Sequence, residues 1–332
     1  MRAKLALIAS LLVGSFPTVS AIAGTQCFGR EPTIVGTEGR DKLEGTQGSD
    51  VIVGLGDTDK IYGFGGDDFI CAGSGERQLP DEETGGTYSV GDNAYGGGGN
   101  DHIDGQGDVD SLWGQGGDDE ILSSAGGGYL DGGDGFDAIE GGSEFEQIRG
   151  RAAGDLIHTN GGADGVDAGS GHDEIVADDG DNEVVAGRGN DEIDAGAGDD
   201  EIYSQQGDDV VGGGPGRDLL NLFWVECGSG CMSSHRINLV VDLREGYARG
   251  MGTDILDGIE DVWGSAGFDR LAGDDGPNEL GGTDDQGIGS DSNVLKGRGG
   301  NDRLLAGTGD DRIYGGEGPT LSCSLEMIPP TK

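Results

Sequence analysis

Acidic residues recur at a fixed interval of nine along most of this chain. In fourteen consecutive nonapeptides from Gly96 to Asn221, the sixth position is Asp, Glu or Asn in all but one, and the exception is Gly128. The side-chain oxygens of these residues are the ligands that hard divalent cations prefer. Carboxylates at a constant phase therefore indicate a row of cation sites, not a single catalytic centre.

The eighth position of the same nonapeptides is aliphatic in all fourteen. These residues are Ile103, Leu112, Ile121, Leu130, Ile139, Ile148, Ile157, Val166, Ile175, Val184, Ile193, Ile202, Val211 and Leu220. The first half of each unit is rich in glycine, which turns sharply without steric cost. The pattern predicts short strands, each pointing one aliphatic side chain inward, joined by tight glycine turns.

Two shorter blocks repeat this pattern on either side of the central one. The first starts at Gly36, and the last resumes at Gly264 and decays before Cys323. Over all three blocks, the residues that we expect to bind metal are Asp41, Asp50, Asp59, Asp68, Asp101, Asp110, Asp119, Asp137, Asp155, Asp164, Asp173, Asp191, Asp200, Asp209, Asp218, Asp269, Asp302 and Asp311.

The unit G-G-x-G-x-D-x-U-x, where U is aliphatic, resembles the calcium-binding nonapeptide of the repeats-in-toxin (RTX) family. The resemblance covers most of the chain and implies an all-β fold, a right-handed parallel β-roll, or β-solenoid, of stacked 18-residue coils. It also implies several bound Ca²⁺ ions, held by the position-six Asp side chains and by carbonyl groups of the glycine turns.

Stacked coils bring the acids of alternate nonapeptides close together. Like charges 4–5 Å apart repel by roughly 1 kcal/mol in water and by several times more in a partly buried site. Ca²⁺ would reverse this effect, so we expect metal binding and folding to be coupled. A disordered acidic chain is the alternative for the metal-free state. A glycine-rich solenoid that folds without metal is another, although it would not need acids at a fixed phase.

The composition limits the partners of the chain. Asp and Glu number 64 against 20 Lys and Arg, which gives a net charge of −44. Such a surface attracts cations and argues against nucleic acid or anionic membranes as partners. The sequence predicts no transmembrane segment.

The N-terminus has the pattern of a secretory signal peptide. Arg2 and Lys4 precede the short apolar run 5–13, and Ala21-Ile22-Ala23 fits a cleavage site, with 19–21 as a competing one. We therefore expect an extracellular protein. Five cysteines fit an oxidising compartment. The expected pairs are Cys27 with Cys71 and Cys227 with Cys231, which leaves Cys323 unpaired.

The repeats and their interruptions suggest seven segments. They are a signal peptide (1–23), an N-terminal repeat block (24–71), a loop insertion (72–95), a central fourteen-repeat β-roll (96–221), a non-repeat elaborated coil or hairpin (222–263), a C-terminal repeat block (264–323) and a tail (324–332).

Nothing in the sequence favours an enzyme. The motifs H-E-x-x-H, G-x-S-x-G and G-x-x-x-x-G-K-[ST] do not occur, and the four His residues are scattered. A β-helical enzyme acting on polysaccharide is less favoured, because the acids are in phase with the turns and basic residues are sparse. The alternative from a different class is a calcium-rigidified adhesin, matrix or surface-layer component, whose partner would be cell-surface polysaccharide or another extracellular component.

The two edges of the central block differ in their acids, and this predicts unequal calcium binding. One edge carries Asp at all seven coils, whereas the other includes Gly128, Glu146 and Asn182. We expect fuller occupancy on the all-Asp edge and weak or missing sites around Gly128. Equal occupancy of both edges in a calcium-loaded crystal structure would contradict this expectation.

Overall fold

The fold is a stack of coils whose strands form two large sheets, in which most neighbouring strands are parallel. The computed structural model describes residues 26–75, 77–80, 87–124, 126–223, 237–282 and 292–324. In this part of the chain the regular elements are strands, which form a sixteen-stranded sheet, a fourteen-stranded sheet and one hairpin. The chain alternates between the two large sheets, so that two nonapeptides make one coil. The predicted β-solenoid is confirmed, with about 14 turns.

The strands are short, and most hold three to seven residues. In spatial order the sixteen-stranded sheet, called the first sheet, contains Ile34–Val35, Val51–Val53, Phe69–Gly73, His102–Gln106, Glu120–Leu122, Ala138–Glu140, Leu156–His158, Glu174–Val176, Glu192–Asp194, Val210–Gly212, Thr253–Asp257, Tyr247–Arg249, Val240–Asp242, Arg270–Ala272, Val294–Lys296 and Arg312–Tyr314. The second sheet contains Lys42–Glu44, Lys60–Gly65, Asn93–Gly98, Asp110–Gly116, Gly128–Asp134, Glu146–Ala152, Gly165–Ser170, Glu183–Arg188, Glu201–Tyr203, Leu219–Asn221, Asp261–Trp263, Glu279–Gly281, Asp302–Gly307 and Thr320–Ser324.

The aliphatic ladder fixes the register of both sheets. Ile121 pairs with Ile139, and Ile139 pairs with Ile157, each step being one coil. All fourteen position-eight residues of the central block are at most 2% exposed. A slip of one residue would turn every one of these side chains to the solvent face, so the ladder strongly favours this register.

Glycine is required where neighbouring turns approach most closely. Gly117 has φ +129°, and a Cβ there would lie 1.9 Å from the carbonyl oxygen of Gly99 on the previous coil. No other residue could occupy this position without moving the turn. The glycines therefore allow the coils to stack directly on one another.

The insertion after the first repeat block leaves the stack in phase. Arg77–Pro80 and Thr87–Val90 form an antiparallel hairpin, and strand Lys60–Gly65 pairs directly with Asn93–Gly98 beyond it. Ala94 is buried between Ile61 and Leu112 at the position-eight level. The regular coil thus resumes inside the range 72–95 that the sequence assigned to a loop.

A second interruption is an antiparallel meander within the range 222–263. Val240–Asp242, Tyr247–Arg249 and Thr253–Asp257 pair side by side in the first sheet. The last of these strands is parallel to Val210–Gly212, and the first is parallel to Arg270–Ala272. The meander therefore joins the central and C-terminal blocks in one continuous sheet.

A disulfide closes the N-terminal end of the stack. Cys27 and Cys71 are bonded with an S–S distance of 2.14 Å, as predicted. The other expected pair, Cys227 with Cys231, lies outside the described residues. Cys323 falls in the terminal strand of the second sheet. Within the described residues, no helix is long and apolar enough to cross a bilayer.

The ladder should dominate the stability of the calcium-loaded protein. Ile157→Ala removes a fully buried side chain and is expected to cost about 2–5 kcal/mol. Ile255→Ala makes the same chemical change at a side chain that is 51% exposed, and should cost less than about 0.5 kcal/mol. Thermal unfolding in saturating calcium measures both, and equal shifts in Tm would contradict the predicted core.

Candidate metal centres

Each position-six residue lies at the end of a glycine turn, either directly before a strand or as its first residue. Acids that precede strands of the first sheet form one row, called the first edge, and those that precede the second sheet form the second edge. The first edge holds Asp50, Asp68, Asp101, Asp119, Asp137, Asp155, Asp173, Asp191, Asp209 and Asp254 in sequence. The second edge holds Asp41, Asp59, Asp92 and Asp110, and then Glu146, Asp164, Asn182, Asp200, Asp218 and Glu260.

In most of these acids, one carboxylate oxygen accepts a backbone N–H of the neighbouring coil. The backbone N–H of Asp101 donates to Oδ1 of Asp119 at 2.8 Å, and that of Asp119 donates to Oδ1 of Asp137 at 2.9 Å. This ladder is continuous along the first edge from Asp50 to Asp254. On the second edge it stops at Gly128, which has no side chain to accept the bond.

In most of these acids, the other carboxylate oxygen has no donor. Among the described residues, this oxygen is buried and without a hydrogen-bond partner in Asp59, Asp68, Asp101, Asp119, Asp137, Glu146, Asp155, Asp164, Asp173, Asp191, Asp200, Asp209, Asp218, Asp302 and Asp311. A buried carboxylate oxygen with no partner is costly unless it gains a proton or a cation. The periodic row of such atoms is the main electrostatic feature of the molecule.

A main-chain carbonyl of the next coil faces the same gap. A Cβ placed on Gly114 would lie 2.2 Å from Oδ2 of Asp119 and 2.6 Å from the carbonyl oxygen of Gly132. At Gly54 the same construction gives 2.7 Å to Oδ2 of Asp59 and 1.9 Å to the carbonyl oxygen of Ala72. Glycine keeps open a gap that is lined by oxygens and lacks donors, and this arrangement fits a hard cation such as Ca²⁺.

Side chains alone do not make up a ligand shell. Across the described ranges, no three His, Cys, Asp or Glu side chains converge on a point that could hold a metal ion. The coil supplies one acid per turn, so the remaining ligands would have to be turn carbonyls. A donor set made up of oxygen atoms alone suits Ca²⁺. It does not suit zinc, which favours sulfur and nitrogen ligands.

Burial and mutual repulsion raise the pKa of many edge acids in the absence of metal. Burial, followed by the negative charges of Asp119 and Asp68, raises the pKa of Asp101 to about 7. Burial raises the pKa of Asp155 to about 8, and the negative charges of Asp137 and Asp173 on the same edge contribute to the increase. Metal binding needs the charged carboxylate, so protons and cations compete for these oxygens.

The structure separates the eighteen predicted residues into two groups. Fourteen of them have the unpartnered second oxygen, and Asp110 also lies on the second edge with its Oδ1 bonded to Asp92. In Asp41, Asp50 and Asp269, however, Thr or Ser of the same turn donates to Oδ2. The sequence did not distinguish these three turns from the others.

Three edge acids, Asp92, Asp254 and Glu260, were missed by the sequence interpretation. Oε2 of Glu260 accepts the N–H of Asp218 at 2.9 Å. Oδ1 of Asp92 accepts the N–H of Asp59 at 2.6 Å, and Oδ1 of Asp254 accepts the N–H of Asp209 at 3.3 Å. Asp92 could have been found, because it stands two residues before Ala94, as every edge acid stands two before its buried residue. Asp254 instead lies in the meander, where the nonapeptide phase is lost.

Family comparison agrees with this geometry. Residues 33–60, 44–79, 90–121, 140–175, 176–211, 185–220 and 288–319 match the RTX calcium-binding nonapeptide repeat, and together they cover more than half of the chain. The chain belongs to this family. The RTX matches include acids of both edges, but they omit the meander and the segment around Gly128. No curated protein matches the chain.

Lowering the pH should stabilise the metal-free fold, as metal binding is expected to do. Edge acids such as Asp101 and Asp155 have higher pKa values in the folded coil than in the unfolded chain, so the metal-free fold gains stability as the pH falls from about 8 to about 6. Exposed carboxyl groups titrate near pH 4 and stay charged over that range. Far-UV circular dichroism in metal-free buffer should therefore show more β-structure at pH 5.5 than at pH 8. A loss of β-structure over this range would contradict the prediction.

Proposed function

We propose that the protein is a secreted calcium-binding repeat protein whose RTX solenoid folds as Ca²⁺ binds along its two edges. The observation that carries the proposal is the buried second oxygen of most edge acids, which has no donor and lies close to a carbonyl oxygen of the next coil, as at Asp59 and Asp119. A cation in that gap would contact both oxygens and neutralise the carboxylate.

The proposed coupling follows from the spacing of the charges. Each coil adds an acid to a file in which neighbours are one strand spacing apart, about 4.8 Å. The resulting repulsion rises as water is excluded, so the metal-free stack opposes its own formation. Because the complete oxygen set exists only in the stacked coil, binding energy becomes folding energy.

The proposed ligands are the predicted acids together with Asp92, Glu146, Asp254 and Glu260. We rank first the residues whose second oxygen lacks a partner, because they have an oxygen to offer without breaking a bond. Asp41, Asp50 and Asp269 rank last, since a cation there would displace the hydroxyl or N–H groups that already donate to them.

Export is the second part of the proposal. The signal-like pattern at 1–23 and the bonded pair Cys27–Cys71 support it, because disulfides persist in oxidising compartments. Extracellular calcium modules bind in the range of about 10⁻⁴–10⁻³ M, which suits a medium rich in calcium. An exported protein that still begins at Met1 would contradict cleavage before Gly24.

A calcium titration tests the proposed function directly. The mature protein in chelator, titrated from zero to about 10 mM free Ca²⁺, should gain β-structure by far-UV circular dichroism, with Mg²⁺ as the control ion. Mg²⁺ should act weakly, because it demands a small octahedral site and keeps its own water. A β-signal that is complete in chelator and insensitive to calcium would overturn the proposal.

Two substitutions in one turn sharpen this test. Asp137→Ala removes a fully buried edge acid and should raise the calcium midpoint several-fold. Asp134→Ala removes an exposed acid three residues away, and should leave the midpoint unchanged. Equal effects would mean that total charge, and not the edge geometry, controls folding.

A further inference from the structure

One turn of the central block already contains a donor in place of a cation. At Asn182 on the second edge, Nδ2 donates to the carbonyl oxygens of Ala177, Gly180 and Ala195, at 3.2, 3.2 and 3.3 Å. Two of these carbonyls belong to the turn of Asn182 itself, and the third belongs to the next turn on the same edge. Three main-chain oxygens thus converge on the amide nitrogen.

The hydrogen bond along the second edge sets the orientation of the Asn182 amide. The N–H of Asp164 donates to Oδ1 of Asn182 at 2.9 Å, so Nδ2 must face the carbonyls. At an aspartate turn, the same atom position is held by Oδ2, which has no partner. The amide therefore replaces an unmet acceptor by a donor, and it removes one negative charge from the file.

Asn293 repeats this arrangement in the C-terminal block. Its Oδ1 accepts the N–H of Asp269 at 2.9 Å, and its Nδ2 donates to the carbonyl oxygens of Gly282 and Ala306, both at 3.1 Å. Ala306 stands thirteen residues after Asn293, as Ala195 stands thirteen after Asn182. Two separate turns therefore place the amide of a position-six Asn against the same carbonyl.

We propose that a turn takes no calcium where the amide of a position-six asparagine, as at Asn182 and Asn293, donates to the carbonyl oxygens that bind the ion at aspartate turns. Asn278 is turned the other way, because its Oδ1 accepts the N–H of Asp274 and its Nδ2 donates to the carbonyl oxygen of Glu260, so its turn is not of this kind. This inference rests on the proposed function and adds to it a rule for which turns hold metal. Asn and Asp differ by one donor group, so a single substitution in either direction converts one kind of turn into the other.

Hydroxyl donors mark a related class of turn at the ends of the solenoid. The N–H and hydroxyl of Thr46 donate to Oδ2 of Asp50 at 2.6 and 2.9 Å, and Thr37 makes the same two bonds to Asp41. The N–H of Ser265 donates to Oδ2 of Asp269 at 2.8 Å. Turns in which Thr or Ser donates to the second oxygen of the acid are thus found in the first and last repeat blocks. Asn182, in contrast, lies between turns whose acids have an unpartnered second oxygen.

The test is a count of calcium ions in matched variants of the full mature chain. Asn182→Asp should bind at least one Ca²⁺ more than the wild type by native mass spectrometry, whereas Asp200→Asn on the next coil should bind at least one fewer. Asn190→Asp adds the same charge at an exposed site whose Oδ1 only accepts the N–H of Asp208, and it should leave the count unchanged.

The possible outcomes separate this inference from the proposed function. A gain in Asn182→Asp without a gain in Asn190→Asp supports the inference, as does a raised calcium midpoint in circular dichroism for the first variant alone. An unchanged count in Asn182→Asp, with a wild type that binds calcium, overturns the inference and leaves the proposed function standing. A wild type that binds no calcium overturns the proposed function itself.

Discussion

The structure depends on how one buried carboxylate oxygen per turn is satisfied. The chain commits the first oxygen of each edge acid to the backbone of the neighbouring coil, and this bond holds the coils in phase. The second oxygen is then fixed in a gap lined by carbonyl groups. A fold that aligns its acids so closely must find a positive partner for them, whether a proton, an amide hydrogen or a metal ion.

The hydrophobic core is too thin to carry this cost alone. Each nonapeptide of the central block buries one large aliphatic side chain, in some units with an alanine beside it, and the rest of the unit is mostly glycine and polar residues. Glycine loses more conformational freedom on folding than any other residue, so the turns also oppose order. The row of buried aliphatic side chains sets the register of the strands. The chemistry of the two edges decides whether the coils stack in that register. The Cys27–Cys71 disulfide adds a covalent constraint at one end only.

The regular part of the fold could be predicted from the sequence, because period, acid and aliphatic are all visible in phase. The two edges and the break at Gly128 follow from the same count. The meander could not be predicted, because Tyr247–Arg249 pairs through an antiparallel arrangement that leaves no nonapeptide signal. Nor did the sequence show that Thr46 satisfies Asp50, since a threonine in the turn resembles any other variable residue until its hydroxyl is placed. The orientation of the Asn182 amide likewise required the coordinates of its neighbours.

In the regular blocks each strand pairs with the one eighteen residues away, and this has a consequence for how the molecule can change length. Adding or removing two nonapeptides would lengthen or shorten the rod by one strand spacing, about 4.8 Å, and leave every remaining contact intact. A single nonapeptide would instead move all later strands to the opposite sheet and exchange the two edges. Growth by gene duplication should therefore add whole coils. An insertion such as the one that holds the hairpin strands 77–80 and 87–90 can differ in length, provided that the chain returns to the stack in phase.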